Sequence, residues 1–279
     1  MNRIIVLTFL VLIVMNLSVE AGTIKQTFIS EVESELENYE YNEEVFTEEE
    51  IAKLPKPVQR YFRYAGYIGK KKMLNAKIVF ENAEFKRGID EKPLNLYSEQ
   101  YNFVTKPTRI VYLRANVLGV IPFEGRDKYQ NGKGVMTGKL LKFIPLFNVE
   151  GPEMDQSALV TFLAEVLIMP NAALQDYIKW EEIDKKRAKA IIEYGGIKVD
   201  GVFTFNEKGK WVKFETRDRY MDKGDGVFEK EKWTIEVSNY IEEDGIKTPQ
   251  RMRAIWNLSN GDFVYFDGKV AELIYDVKE

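Results

Sequence analysis

Acid–base chemistry in this chain falls to carboxylates, lysines and tyrosines, because its 279 residues include neither histidine nor cysteine. The missing imidazole removes Ser-His-Asp catalysis, His-ligated metals and the one side chain that titrates unperturbed near neutral pH. The missing thiol removes thiolate nucleophiles, disulfides and thiolate-held zinc or iron–sulfur centres. Among the carboxylates, Asp127, Asp155 and Glu165 stand out. Glu165 lies about 100° from the centre of an apolar helical stripe, at the edge of its buried face. There it could reach a cavity rim and work as a general acid, or pair with Arg217 or Arg219. Asp155 stands where a helix N-cap is expected.

Other patterns carry less chemistry. Gly132-x-Gly134-x-x-x-Gly138 has phosphate-loop spacing, but such loops join a strand to a helix and here strands are expected on both sides. A hairpin turn at Asn131-Gly132 accounts for it. The basic clusters Lys70–Lys72 and Lys185–Lys189 have no interleaved aromatics, and the chain carries a net charge of −4, so nucleic acid is not an expected partner. Asn257-Leu258-Ser259 fits a glycosylation acceptor. No residue set calls for a metal or a cofactor, and no catalytic residue is assigned.

The aromatics are the remaining signal: 4 Trp, 15 Tyr and 17 Phe. Trp211, Trp233 and Trp256 fall on expected strands and fill a core unless the sheet leaves its concave face open. In that case they would line an apolar cavity, with Phe162, Glu165 and Arg219 beside them.

The elements that must position these residues follow from patterning. At 45% hydrophobic and 30% charged, the composition is that of a globular protein. The chain starts Met1-Asn2-Arg3, continues in an apolar run over Ile4–Met15, and reaches Val19-Glu20-Ala21. This reads as a signal peptide over residues 1–21, cleaved after Ala21. The run is shorter than the roughly 20 residues of a bilayer span. Left uncleaved, it would keep the protein on the outer side of a membrane. Residues 22–53 form an acidic N-terminal segment with ten glutamates between Glu31 and Glu50. Phe28, Val32, Leu36 and Tyr39 have helical spacing, so the segment is partly helical, a solvated spacer or tether. Past residue 53 there are 37 basic against 33 acidic residues.

Residues 54–279 read as a single domain. Thr47 caps a first helix, Leu54-Pro55-Lys56-Pro57 interrupts it, and a second turn of helix ends at Gly66 with Val58, Phe62 and Ala65 on one face. Period-two alternation then predicts antiparallel strands from Met73 to Val149, with a bulge near Asn82. A helix over Asp155–Met169 carries the stripe Ala158, Leu159, Phe162, Leu163 and Val166 and stops at Pro170. Asn171–Trp180 adds further helical turn. Strands resume to Tyr275, with turns at Gly195-Gly196, Asn206–Gly209, Asp222–Gly226, Asp244-Gly245, Asn260-Gly261 and Asp267-Gly268. Alternation from Val212 sets Arg219 on the face opposite Phe214 and Thr216. If the central helix covers that face, Glu165 is a candidate partner for Arg219. The fold class is α+β: a large curved antiparallel sheet, half-barrel-like, of about 11–12 strands, with an N-terminal helix and a central lid helix.

The block Leu54-Pro55-Lys56-Pro57-Val58-Gln59-Arg60-Tyr61-Phe62-Arg63-Tyr64-Ala65-Gly66 resembles the LPxPVQRYxxYxG opening of a prokaryotic family of unknown function. Gly125–Gly134, Glu153–Pro170, Trp180–Asp184, Arg219-Tyr220 and Pro249…Trp256…Gly261–Tyr265 follow in the same order, so the resemblance spans about residues 54–276. It implies a relative without implying an activity. The order of elements is also similar to the half-barrel of periplasmic lipoprotein carriers, in which about eleven antiparallel strands curl around helices.

The leading expectation is an exported, non-enzymatic protein that binds a lipid or other hydrophobic molecule in its curved sheet. The alternatives are an extracytoplasmic hydrolase with Asp127 and Glu165 as acid and base, and a structural or interaction module of the envelope. The hydrolase needs two carboxyl groups roughly 5–9.5 Å apart in one open cleft. The module needs an exposed apolar patch.

Overall fold

The computed structural model describes residues 22–37, 43–224 and 226–278. The expected signal segment and Tyr39 lie outside them. Thirteen antiparallel strands form one curled half-barrel sheet, and the short helices pack on it.

The first six strands are a meander: β1 (Asn75–Phe85), β2 (Leu94–Phe103), β3 (Thr108–Val117), β4 (Ile121–Gln130), β5 (Lys133–Leu140) and β6 (Ile144–Glu150). The last seven are another: β7 (Ile178–Asp184), β8 (Arg187–Tyr194), β9 (Ile197–Phe205), β10 (Trp211–Asp222), β11 (Phe228–Glu243), β12 (Ile246–Leu258) and β13 (Gly261–Tyr275). Pairing of β1 with β13 joins them into the order 6-5-4-3-2-1-13-12-11-10-9-8-7. The free edges are therefore β6 and β7, and the chain between them must cross the concave face. It does so as helix α4 (Pro152–Glu165), counting helices α1 (Ile24–Leu36), α2 (Glu48–Ile51) and α3 (Lys56–Ala65) before it.

The turns follow local chemistry. Asn131 and Gly132 both take positive φ (52° and 80°), as a tight hairpin that follows the sheet twist requires. Asn82, at φ 55°, sits in the register shift between Phe80 and Ala83, which is the expected bulge. Asp267-Gly268 is not a turn. β13 runs through it, and the absent side chain of Gly268 leaves room for the Phe80 and Phe266 rings. Asn171–Trp180 contributes one 3-10 turn (Ala172–Leu174) before β7 begins.

One rim is plugged by α3. Val58, Tyr61, Phe62 and Ala65 are fully buried, and Phe46 and Tyr67 pack edge-on against Phe62. The opening block earns its residues here. Gln59 Nε2 donates to the Leu54 carbonyl at 2.7 Å, Arg60 donates to the carbonyls of Lys185 and Asn206, and Tyr61 Oη donates to the Leu167 carbonyl at 2.8 Å. The plug thereby fixes the segment that follows α4.

The acidic N-terminal helix is not a solvated spacer. Ile24, Phe28, Val32 and Leu36 of α1 are buried against Phe103, Ile110 and Tyr112, a second, smaller core. Glu31 accepts from Arg126 Nη1 (2.5 Å) and Lys128 Nζ (2.6 Å), so part of the acidic charge is matched by the outer face of β4.

Candidate functional site

Helix α4 is latched to the sheet at both ends by polar side chains. At its C-terminal end Glu165, 8% exposed, meets residues that the β2–β3–β4 register sets side by side on the concave face. Gln100 Nε2 and Asn102 Nδ2 donate to Glu165 Oε2 at 2.6 and 2.8 Å, and Arg109 Nε approaches the same oxygen at 3.3 Å. Arg109 also donates to Asp127 Oδ2 (2.6 Å) and Gln100 Oε1 (2.9 Å). Burial pulls the Arg109 guanidinium down, but the facing Glu165 and Asp127 outweigh it and hold the pKa above its ordinary value. Asp127 and Glu165 do come together, but around one arginine. A hydrolytic pair needs an acid and a base facing a substrate, and these two face Arg109.

At the other end Asp155 is not the N-cap. The helix begins at Pro152 behind Gly151, and Asp155 reaches out to accept from Gly134 N (2.7 Å) and Lys133 Nζ (2.9 Å) of the β4–β5 hairpin. The glycines of that hairpin are explained by contact. A Cβ on Gly134 would stand 2.5 Å from the Met154 carbonyl oxygen. One on Gly132 would stand 2.9 Å from the Cα of Gly195, where this hairpin tip meets the β8–β9 tip.

Arg219 does face α4, but its partner is not Glu165. A register shift between Thr216 and Arg219 turns it onto the same face as Phe214 and Thr216. Its Nη1 donates to the Ser157 carbonyl (2.7 Å) and to Thr161 Oγ1. The guanidinium lies 4.5 Å from the Trp233 ring centroid and 5.7 Å from that of Trp256. Trp211, Trp233 and Phe162 are sealed in the core at 0–1% exposure, with Trp256 at its margin at 7%. Trp233 Nε1 donates to Tyr265 Oη at 3.1 Å, and Trp256 stacks on Tyr265 with centroids 6.0 Å apart.

Beyond α4 the concave face is less covered. Phe85, Phe123, Tyr265 and Phe266 are only partly buried although they pack on the core, and Phe147, the cross-strand partner of Gly138, is likewise partly buried. Phe123 and Phe147 lie 6.2 Å apart over Gly125 and Gly138, which are direct cross-strand partners. A Cβ on Gly138 would come within 2.5 Å of the Phe147 ring. Gly268 makes the same room for Phe266, whose ring meets Phe80 edge-on at 5.3 Å. None of these phenylalanines stood out in the sequence. The pairing of small residues beneath large ones was the available signal, and it needs the register to be read.

A separate open groove of about 900 Å³ runs between the β1–β2 loop and the β3–β4 turn. Arg87, Glu91, Tyr97 and Arg114 make much of its wall polar, with Arg114 stacked 4.9 Å over Tyr97.

A family model matches residues 44–268, which takes in the opening block and all of the latch. The chain belongs to the family of unknown function DUF6544. Among solved structures, this DUF6544 chain is similar to a LolA superfamily protein from Nitrosomonas europaea, at 11% identity and TM-score 0.43, over 79% of this chain and 94% of that one. It is also similar to a β-barrel-like protein of the domain of unknown function DUF1849 from Brucella abortus, at 12% identity and TM-score 0.24, over 74% and 99%. No curated protein matches it. No helix among the described residues is long and apolar enough to cross a membrane.

Proposed function

We propose that this DUF6544 protein is exported and binds a lipid or other hydrophobic molecule against the uncovered part of its concave face. One observation carries the reading: Phe85, Phe123, Tyr265 and Phe266 remain partly exposed although they pack on the core, and Phe147 lies partly exposed beside Phe123. Aromatic rings with solvent on one side and a packed core on the other are what a ligand of low polarity can cover. Trp256 and Arg219 border this surface. Arg219 would hold a polar end of the ligand, while the sealed Trp211, Trp233 and Phe162 would stiffen the floor beneath. The export half rests on the basic start, the short apolar run and Ala21.

Native mass spectrometry of the mildly purified protein, followed by solvent extraction, tests the binding half. The expected result is a co-purifying apolar molecule, lost from a Phe123→Ser/Phe147→Ser variant whose circular dichroism is unchanged. A wild-type protein that carries no such molecule and fails to enhance the fluorescence of N-phenylnaphthylamine would sink it. Fusion of residues 1–30 to an export-dependent reporter tests the other half.

A further inference from the structure

Among the described residues, the three most exposed large apolar side chains lie on two hairpin tips. Leu118 (82% exposed) and Val120 (78%) crown the β3–β4 turn, while Leu141, Phe143 (71%), Ile144 and Leu146 crown β5–β6. The tips adjoin, since Leu141 N donates to the Pro122 carbonyl at 2.8 Å and Phe123 pairs with Leu140. An apolar cluster of this kind marks an interaction surface.

The backbone argues that these residues are kept for something other than the turn. Leu118, Leu141 and Lys142 sit at φ 51°, 52° and 72°, a left-handed region that is unfavourable for a side chain branched like leucine. Other turns of the same sheet fill such positions with Asn131-Gly132, Gly195-Gly196 and Asp244-Gly245. Leucine at these two tips costs backbone strain and exposes apolar surface, so the turn itself gains nothing from it.

The surrounding charge selects the occupant. The whole chain is −4, yet no acidic residue occurs from Lys128 to Val149; Lys128 and Lys133 of this stretch pair with Glu31 and Asp155 at the β4–β5 end, while Lys139 and Lys142 stand at the β5–β6 tip. The β5–β6 tip reads Lys139-Leu-Leu-Lys-Phe-Ile-Pro-Leu-Phe147, and the β3–β4 tip is uncharged from Ala115 to Phe123. An apolar β5–β6 tip carrying Lys139 and Lys142, beside an uncharged β3–β4 tip whose groove holds Arg87 and Lys92 as well as Glu81 and Glu91, suits an interface that is greasy within and negative at its surface. We propose that these two tips dock the protein on an anionic phospholipid bilayer, with Leu118, Val120 and Phe143 in the acyl boundary and Lys139 and Lys142 at the headgroups. This surface adjoins the Phe123–Phe147 end of the concave floor, but docking through it does not depend on what binds there.

Because the chain has no cysteine, a thiol-reactive dye reports only where a cysteine is introduced. Full-length Leu118→Cys, Phe143→Cys and Ile183→Cys proteins, the last on the opposite sheet edge, would be labelled with an environment-sensitive NBD dye. Each is mixed with vesicles of equal phosphatidylglycerol and phosphatidylcholine, or of phosphatidylcholine alone. The expected result is a blue shift and brightening at 118 and 143 with the anionic vesicles, none at 183, and loss of the response in the Lys139→Glu/Lys142→Glu background. Attachment through the apolar N-terminus alone would leave both tip labels in water and overturns the proposal. A response equal on phosphatidylcholine overturns the anionic assignment, and a response at 183 as large as at the tips overturns the specific docking surface.

Discussion

Glu165 and Arg109 meet across the concave face, 3.3 Å apart, and tie the C-terminal end of α4 to strands β2–β4. Both side chains are about nine-tenths buried, so neither can recruit bulk water if the other is removed. Glu165→Ala should therefore cost about 2–4 kcal/mol, below the full 3–5 of a severed buried pair because Asp127 still holds Arg109. Urea denaturation of Glu165→Ala, Arg109→Met and the double variant reads this, and the two losses should fall well short of additive. Combining Glu165→Ala with Arg219→Ala should give simple additivity, because Arg219 is held by Ser157 and Thr161 instead. Strong coupling between Glu165 and Arg219 would contradict the latch described above.

The hairpin at the other end of α4 is bound by close approach. Gly134 has no room for a methyl group, with the Met154 carbonyl at 2.5 Å and Ala158 Cβ at 2.9 Å from where it would stand. Gly134→Ala should lower stability by about 1–3 kcal/mol, as overpacking does. Gly88→Ala, whose new atom would find its nearest neighbour at 3.5 Å, should change little. Equal melting temperatures for the two variants would show that the helix can move off the hairpin freely.

What the sequence made legible was whatever depends on neighbouring residues. Asn131-Gly132 demands positive φ locally, Thr47 and Glu50 form a reciprocal cap within one turn, and Asn82 shifts the strand parity beside it. What it concealed depends on distant partners. The parity rule misplaced Arg219 because the shift after Thr216 leaves no mark in the residues themselves. Arg109 carried no pattern that distinguished it from other strand arginines, so Glu165 was matched with the wrong guanidinium. The glutamates of α1 suggested a solvated helix, whereas its four apolar residues decide its position and Arg126 and Lys128 accept part of its charge. The apolar hairpin tips were readable as sequence, but only the fold brings them together.

The tyrosines of the plugged rim should govern alkaline stability. Burial pushes Tyr67 up to about 12 and Tyr61 and Tyr275 also well above the ordinary phenol value, because a phenolate there would lose its water. A pKa raised in the folded state means that the unfolded chain ionises first. The stabilisation is therefore complete below the unfolded value of about 10 and is lost as pH rises from there toward 12. Absorbance at 295 nm should show a late tyrosine ionisation step that coincides with loss of the far-ultraviolet signal. Tyr67→Phe keeps the ring and removes the ionisation, so it should shift that later step to higher pH. A single smooth titration with the fold intact would mean that water reaches these hydroxyls and that α3 does not seal the rim.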